Sequence, residues 1–241
     1  MQAGLAVALG LMAGLLAAAG LTDLVDALTA GDGRLPRRCK GCGRQLGFSS
    51  YVPLWRYTAA GACHACGRAQ NRKDIWIEAL AILGTTLLWH VEPGPALPLD
   101  LVLLWLAIVA TVVDIRLRII PNRLLLGAFG LGLVALWPVG AQAYLLGLSG
   151  AVLLLAIGFL IAWIGRGGFG FGDVKYLGTV GFLLGWQRGL AALLLAVVCG
   201  GLYAAGLLLT HKATGRDAFA FGPFIAFGSV LVVLMGAPGL L

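Results

Sequence analysis

Residues 97–118 read LPLDLVLLWLAIVATVVDIRLR. From Leu101 to Val113 no side chain is charged, and the run closes on Asp114, with Arg116 and Arg118 just beyond it. Such a stretch is read as a membrane helix that ends at the level of the lipid headgroups. Comparable apolar runs, separated by charged or Gly/Pro-rich breaks, fall at about 3–21, 75–91, 123–137, 141–164, 174–186, 190–210 and 218–240. Together they predict an all-α, polytopic membrane protein of about eight transmembrane helices. The first run lacks a basic segment before it and is read as a retained span rather than a secretory signal. The run at 174–186 is short, and Gly178, Gly181 and Gly185 suit it to close packing as an inner helix. Composition agrees with this reading. Of the 241 residues, 60% are hydrophobic and 11% charged, whereas a soluble domain carries about 25% charged residues. An ordinary soluble globule, a disordered chain and a disulfide-dense secreted scaffold are all excluded on that ground.

The formal net charge of +7 implies no nucleic-acid partner, because basic residues in a membrane protein gather in cytoplasmic loops. With the amino terminus outside, the loops at 22–74, 114–122, 165–173 and 211–217, with their helix-end residues, hold 16 of the 17 basic side chains. Only Arg188 falls outside. Missing or inventing one span would exchange every later loop, so the asymmetry favours eight spans with both termini outside the cytoplasm. The expected division is a first helix and connector over 1–33, a small cytoplasmic module over 34–74 and a seven-helix membrane core over 75–241.

That module carries Cys39, Cys42, Cys63 and Cys66: two Cys-x2-Cys pairs with 20 residues between them. Two pairs of thiolates on separate turns can complete a tetrahedral zinc shell, and a glycine follows each second cysteine. Disulfides fit a reducing cytoplasmic loop poorly, and redox motifs rarely come as two matched copies. His64 is a lesser candidate ligand, and a metal would account for how so few residues fold. Cys199, inside a span, reads as a small buried apolar residue.

Ionisable groups at span ends are costly and are therefore candidate sites. Glu92 and Asp100 read as solvated residues of a Pro-rich outer loop, Asp23 and Asp26 as headgroup-level groups, and Glu78 lies one turn into the second span. Asp114 and Asp173 stand apart. They are 59 residues apart in sequence, yet the topology brings the end of one inward-running helix and the start of an outward-running one to the same depth. Two carboxylates meeting there can share a proton and work on a water as acid and base. The plainer alternative is that Asp173 is a helix N-cap and Asp114 a span terminus.

The chain resembles the type IV prepilin leader peptidases, a family of membrane aspartic peptidases. The resemblance is carried by Arg34-Leu35-Pro36-Arg37, the four cysteines, Val52-Pro53-Leu54, the stretch from Asp114 through Ile120-Pro121-Asn122, Gly170-Phe171-Gly172-Asp173-Val174-Lys175 and Phe221-Gly222-Pro223-Phe224. It implies that Asp114 and Asp173 are the catalytic pair, and that Gly170, Gly172, Lys175, Gly222 and Pro223 line the substrate pocket. It further implies a multi-pass protein of the bacterial inner membrane, active at the cytoplasmic face. Its partners there would be the lipid bilayer and pilin or type II secretion pseudopilin precursors, cut after a glycine behind a basic leader. Many members also methylate the new amino terminus with S-adenosylmethionine. Two departures put that second activity in doubt: Leu21-Thr22-Asp23-Leu24-Val25-Asp26 after the first span, and Asp74-Ile75-Trp76-Ile77-Glu78, which keeps only the glutamate of the usual motif. Helix dipoles favour Asp173 as the ionised base and Asp114 as the acid, a bias that Arg116 or Arg118 beside Asp114 could reverse. The glycines at 165, 167, 168, 170 and 172 either admit a substrate backbone or merely permit a tight turn. A transporter with an acidic pair would hold its charges nearer mid-bilayer and would have no need of four cysteines.

Overall fold

The computed structural model describes residues 2–30, 39, 42–44, 53, 63, 65–67, 75–91, 94–164, 169–211 and 219–236. Among these the regular structure is helical: α1 Gln2–Ala30, α2 Ile75–Val91, α3 Leu97–Leu117, α4 Asn122–Ala135, α5 Ala141–Ile164, α6 Phe171–Leu209 and α7 Gly222–Leu234. Four of them, α1, α3, α5 and α6, are long and apolar enough to cross a membrane, while α2, α4 and α7 are apolar but shorter. The chain forms two compact units, Met1–Val91 and Glu92–Leu241.

In the first unit, α1 and α2 pack on each other. Gly10 and Gly14 let the backbones approach: a Cβ on Gly14 would lie 2.8 Å from Ile82 Cα. Small residues at helix contacts are the usual means of association in lipid, where apolar side chains gain little by leaving the tails.

The second unit is built on the same rule. α5 buries Gly147, Gly150, Ala151, Leu154 and Gly158 and turns Leu145, Val152, Phe159 and Trp163 outward. Small residues inside and large apolar ones outside is the reverse of a soluble helix and fits a lipid-facing surface. Its partner is α6, where Gly181 meets Gly150 so closely that neither position has room for a Cβ. Gly178, beneath Leu155, extends the contact, as the glycine spacing predicts.

The runs predicted at 174–186 and 190–210 form one 39-residue element with no intervening loop. The interruption is a single residue, Gly185, at φ 72° and ψ 176°, a region essentially closed to any side chain. α3 ends on Arg118, which is left-handed at φ 54° and donates its N–H to the Asp114 carbonyl at 2.8 Å. Pro121 then caps α4 in an extended conformation. Proline also disfavours the helical region at Ile120, so a short turn reverses the chain. α3 and the second half of α6 each pack against α7; the start of α7 meets the end of α3 through Gly222 and Asp114, and the start of α6 meets the turn after α3 through Gly172 and Ile120.

One expectation is corrected here. Asp100 is not a solvated turn residue: it lies in the first turn of α3, is only 4% exposed, and shares a small cavity with Arg188. The helix begins at Leu97, three residues before the aspartate, and draws it inward. Glu92 lies outside the described residues.

Candidate active site

Asp114 occupies the last turn of α3 and is 5% exposed. Its Oδ2 accepts the backbone N–H of Gly222 at 2.9 Å. Gly222 is the first residue of α7, followed by Pro223, and proline is well suited to a position whose N–H has no helical acceptor. The glycine is required by space. A Cβ on residue 222 would stand 2.7 Å from Asp114 Oδ2 and 3.1 Å from its Cγ.

Asp173 is held in a parallel way. Gly170 is the N-cap of α6, and the Asp173 carboxylate accepts a backbone hydrogen bond from Gly170. Asp173 is therefore not the N-cap but the third helical residue, folded back on the cap as in a capping box. Gly172 rests against Ile120, where a Cβ would lie 3.5 Å from the Ile120 nitrogen. The Ile120-Pro121 turn thus abuts the Gly170–Asp173 stretch. The two carboxylates lie within Coulombic reach of each other.

The dipole argument that made Asp173 the base and Asp114 the acid does not survive this geometry. Asp114 sits at the carboxyl end of its own helix but faces the amino end of another, so each carboxylate meets a helix N-terminus. Sequence reasoning weighed each aspartate's own helix and the arginines beside Asp114, but not the amino end of α7 that faces it.

Two further features were not anticipated. Phe169, preceding Gly170, meets Phe221, preceding Gly222, edge-on with ring centroids 5.3 Å apart. Phe219 and Phe224 extend this wall, at 6.4 and 6.0 Å from Phe221. The loops that supply the two N–H donors are therefore joined by aromatic rings. The signal lay in Phe169-Gly170-Phe171-Gly172 and Phe219-Ala220-Phe221-Gly222, where phenylalanines alternate with small residues. The second feature is Tyr176, fully buried one turn beyond Asp173, within electrostatic reach of both aspartates.

Lys175 is placed elsewhere. Residues two apart on a helix do not share a face, and Lys175 Nζ donates to Asn122 Oδ1 at 3.0 Å. The two line the mouth of an apolar cavity of about 450 Å³ between α4, α5 and α6, with Leu125, Phe129, Leu155 and Gly178 among its walls. Arg34 to Arg37, Val52, Leu54, His64, Asp74, Gly165, Gly167 and Gly168 lie outside the described residues. Glu78 is fully buried in α2.

The four cysteines converge within the first unit. Their sulfurs all lie within 4.8 Å of one another, with Cys39 and Cys66 Sγ 3.5 Å apart and Cys42 and Cys63 Sγ 3.6 Å apart. These separations exceed the ~2.05 Å of a disulfide. They approach the ~3.8 Å between sulfurs in a regular tetrahedron with Zn–S bonds of about 2.3 Å. The two pairs are built alike. Gly43 and Gly67 have φ 71° and 66°, and their N–H groups return to the carbonyls of Cys39 and Cys63 at 2.9 and 2.8 Å. Backbone hydrogen bonds from Ala65, and then Cys66, hold the Cys63 thiol below its ordinary pKa, which favours the thiolate that a metal binds. The donor set fits a zinc ion.

Apolar helices long enough to span a membrane, a pair of aspartates held by backbone amides and a four-thiol cluster able to hold a metal ion define a class of membrane protein with a carboxylate pair at helix ends. The model of the Type IV leader peptidase family matches residues 101–205, a span that contains both aspartates. The chain is 34% identical over 208 residues to a prepilin leader peptidase/N-methyltransferase of Bacillus subtilis (strain 168), covering 82% of this chain and 81% of the relative. Relatives with the same description from Pectobacterium carotovorum subsp. carotovorum and Dichelobacter nodosus are 30% and 31% identical, covering 83% of this chain in each case and 74% and 71% of the relative. No solved structure matches the chain. The chain belongs to the type IV leader peptidase family, whose members are aspartic peptidases.

Proposed function

We propose that the chain removes the basic leader from type IV pilin or type II secretion pseudopilin precursors, cutting after a glycine at the cytoplasmic face of the bacterial inner membrane. The observation that carries this reading is the pair Asp114 and Asp173, each tied to a backbone N–H at a helix N-terminus. One carboxylate, ionised, takes a proton from water as the water oxygen bonds to the scissile carbonyl carbon. The other, protonated, gives its proton to the carbonyl oxygen. The tetrahedral adduct then collapses: the C–N bond breaks, the departing amine receives the proton taken from water, and one hydroxyl of the adduct returns its proton to the second aspartate, leaving a carboxylic acid and the pair as it began.

Eight spans accompany the reading, with Gly185 dividing α6 into two and both termini outside the cytoplasm. The asymmetry of the basic residues supports that orientation. Gly170, Gly172, Gly222 and Pro223 line the approach to the pair, and Lys175 belongs to the neighbouring apolar groove. The module at 34–74 is held by a structural zinc on Cys39, Cys42, Cys63 and Cys66, which fixes its fold and takes no part in cleavage.

N-methylation of the new amino terminus is the second reading, favoured by the description of the relatives. S-adenosylmethionine would supply the methyl group. The experiment is to incubate purified protein with a prepilin, with and without S-adenosylmethionine, and weigh the product. Loss of the leader mass is expected, and an uncut precursor refutes the peptidase reading. A further methyl mass in the presence of the donor establishes the second activity.

A further inference from the structure

Tyr176 is the one described residue with a buried side-chain oxygen or nitrogen that lacks a hydrogen-bond partner. The side chain has no exposed surface at all. An unpaired buried hydroxyl is costly, and an ordinary packing position would be filled by phenylalanine at no such cost. Its neighbourhood suggests why the hydroxyl is present. Tyr176 lies three residues after Asp173 on α6, so the two side chains share a face of the helix. Asp114 reaches the same neighbourhood from α3, and both carboxylates act electrostatically on the phenol. Of the helices packed on α6, α5 and α7 bring no charged side chain. A phenol is a donor, an ionised carboxylate only an acceptor, so the two are complementary.

We propose that Tyr176 is a positioning residue of the peptidase site, whose O–H hydrogen-bonds the ionised member of the Asp114 and Asp173 pair when the site closes on substrate. The inference rests on the two-aspartate reading. The hydroxyl is sealed from solvent, so it acts through the carboxylates rather than on the substrate. Hydrogen bonds of this kind are often long in a resting enzyme and tighten in the working complex.

The test is Tyr176→Phe, which removes one oxygen and leaves the ring. Losing a hydrogen bond to a charged group corresponds to about 10- to 100-fold in kcat, with KM unchanged. The melting temperature in detergent is expected to stay the same or rise. Wild-type kcat in Y176F overturns the proposal, as does a loss of kcat accompanied by a lower melting temperature or a higher KM, since these assign the residue to packing. A second measurement needs no cleavage. Infrared difference spectra, taken with minus without a bound precursor whose cleavage site is made uncuttable, of protein labelled with 13C at its aspartate carboxyls should contain a band that shifts in Y176F and disappears in Asp114→Asn or Asp173→Asn. An unshifted band overturns the proposal even if the wild-type protein cuts no precursor, an outcome that would count separately against the peptidase reading.

Discussion

Replacing Gly222 with alanine adds one methyl group at the point where α7 meets Asp114. The methyl carbon would stand 2.7 Å from Oδ2, 3.1 Å from Cγ and 3.2 Å from Cβ of the aspartate. Carbon and oxygen atoms in contact sit nearer 3.4 Å, so the carboxylate must retreat by roughly 0.5 to 1 Å. That displacement stretches the 2.9 Å bond from the Gly222 N–H beyond hydrogen-bonding distance. A lost bond to a charged group is worth about 1.5–3 kcal/mol, and a misplacement near 1 Å alone can cost about 100-fold in rate. Gly222→Ala is therefore expected to lower kcat for leader cleavage by about 10- to 100-fold, with little change in substrate binding. The assay is timed cleavage of a purified prepilin in detergent, followed by mass. Gly201→Ala is the control: nothing lies within 4 Å of a Cβ there, and alanine favours helix over glycine. Cleavage at the wild-type rate by Gly222→Ala would refute the claim that this contact sets the position of Asp114.

Asp114→Asn and Asp173→Asn are each expected to abolish cleavage while leaving the melting temperature close to that of the wild type; full activity in either removes that residue from the reaction. Purified protein is expected to carry one equivalent of zinc by elemental analysis, and the double variant Cys42→Ser/Cys63→Ser none; an unchanged metal content would dissociate the cluster from zinc. Gly185→Ala forces a side chain into φ 72°, ψ 176°, at about 1–3 kcal/mol. The melting temperature should fall by several degrees, roughly 2–4 °C per kcal/mol for a chain of this size. An unchanged value would mean that the break at 185 does not need glycine.

Hydropathy located the helices because lipid imposes one requirement on every span, and α5 begins and ends where the apolar run does, at 141 and 164. It failed where a break has no length. Arg188 marks the gap between two predicted spans, but the chain turns three residues earlier at Gly185 and stays helical on both sides. Backbone conformation at one glycine leaves no trace in a hydropathy average. The four cysteines were legible because spacing and chemistry are both local. The surroundings of Asp114 were not: the donor to its carboxylate lies 108 residues away, and only the packing of α3 on α7 brings the two together. Asp100 was misread for the same reason, since burial belongs to the neighbours and not to the residue. Tyr176 was invisible as an ionisable group because, in an apolar run, a tyrosine reads as another large hydrophobe.

The contact between Phe169 and Phe221 bears on the conditions the enzyme works under. A bilayer surface is an uneven ionic medium, where headgroup charge and counterions vary over a Debye length of about 8–10 Å. Junctions made of ion pairs would loosen and tighten with that medium. Ring contacts carry no net charge to be screened, so salt does not weaken the contact by which Phe169 and Phe221 register the two loops. Agents that compete for aromatic surface, short-chain alcohols or aromatic detergents, would disturb that registration where sodium chloride would not.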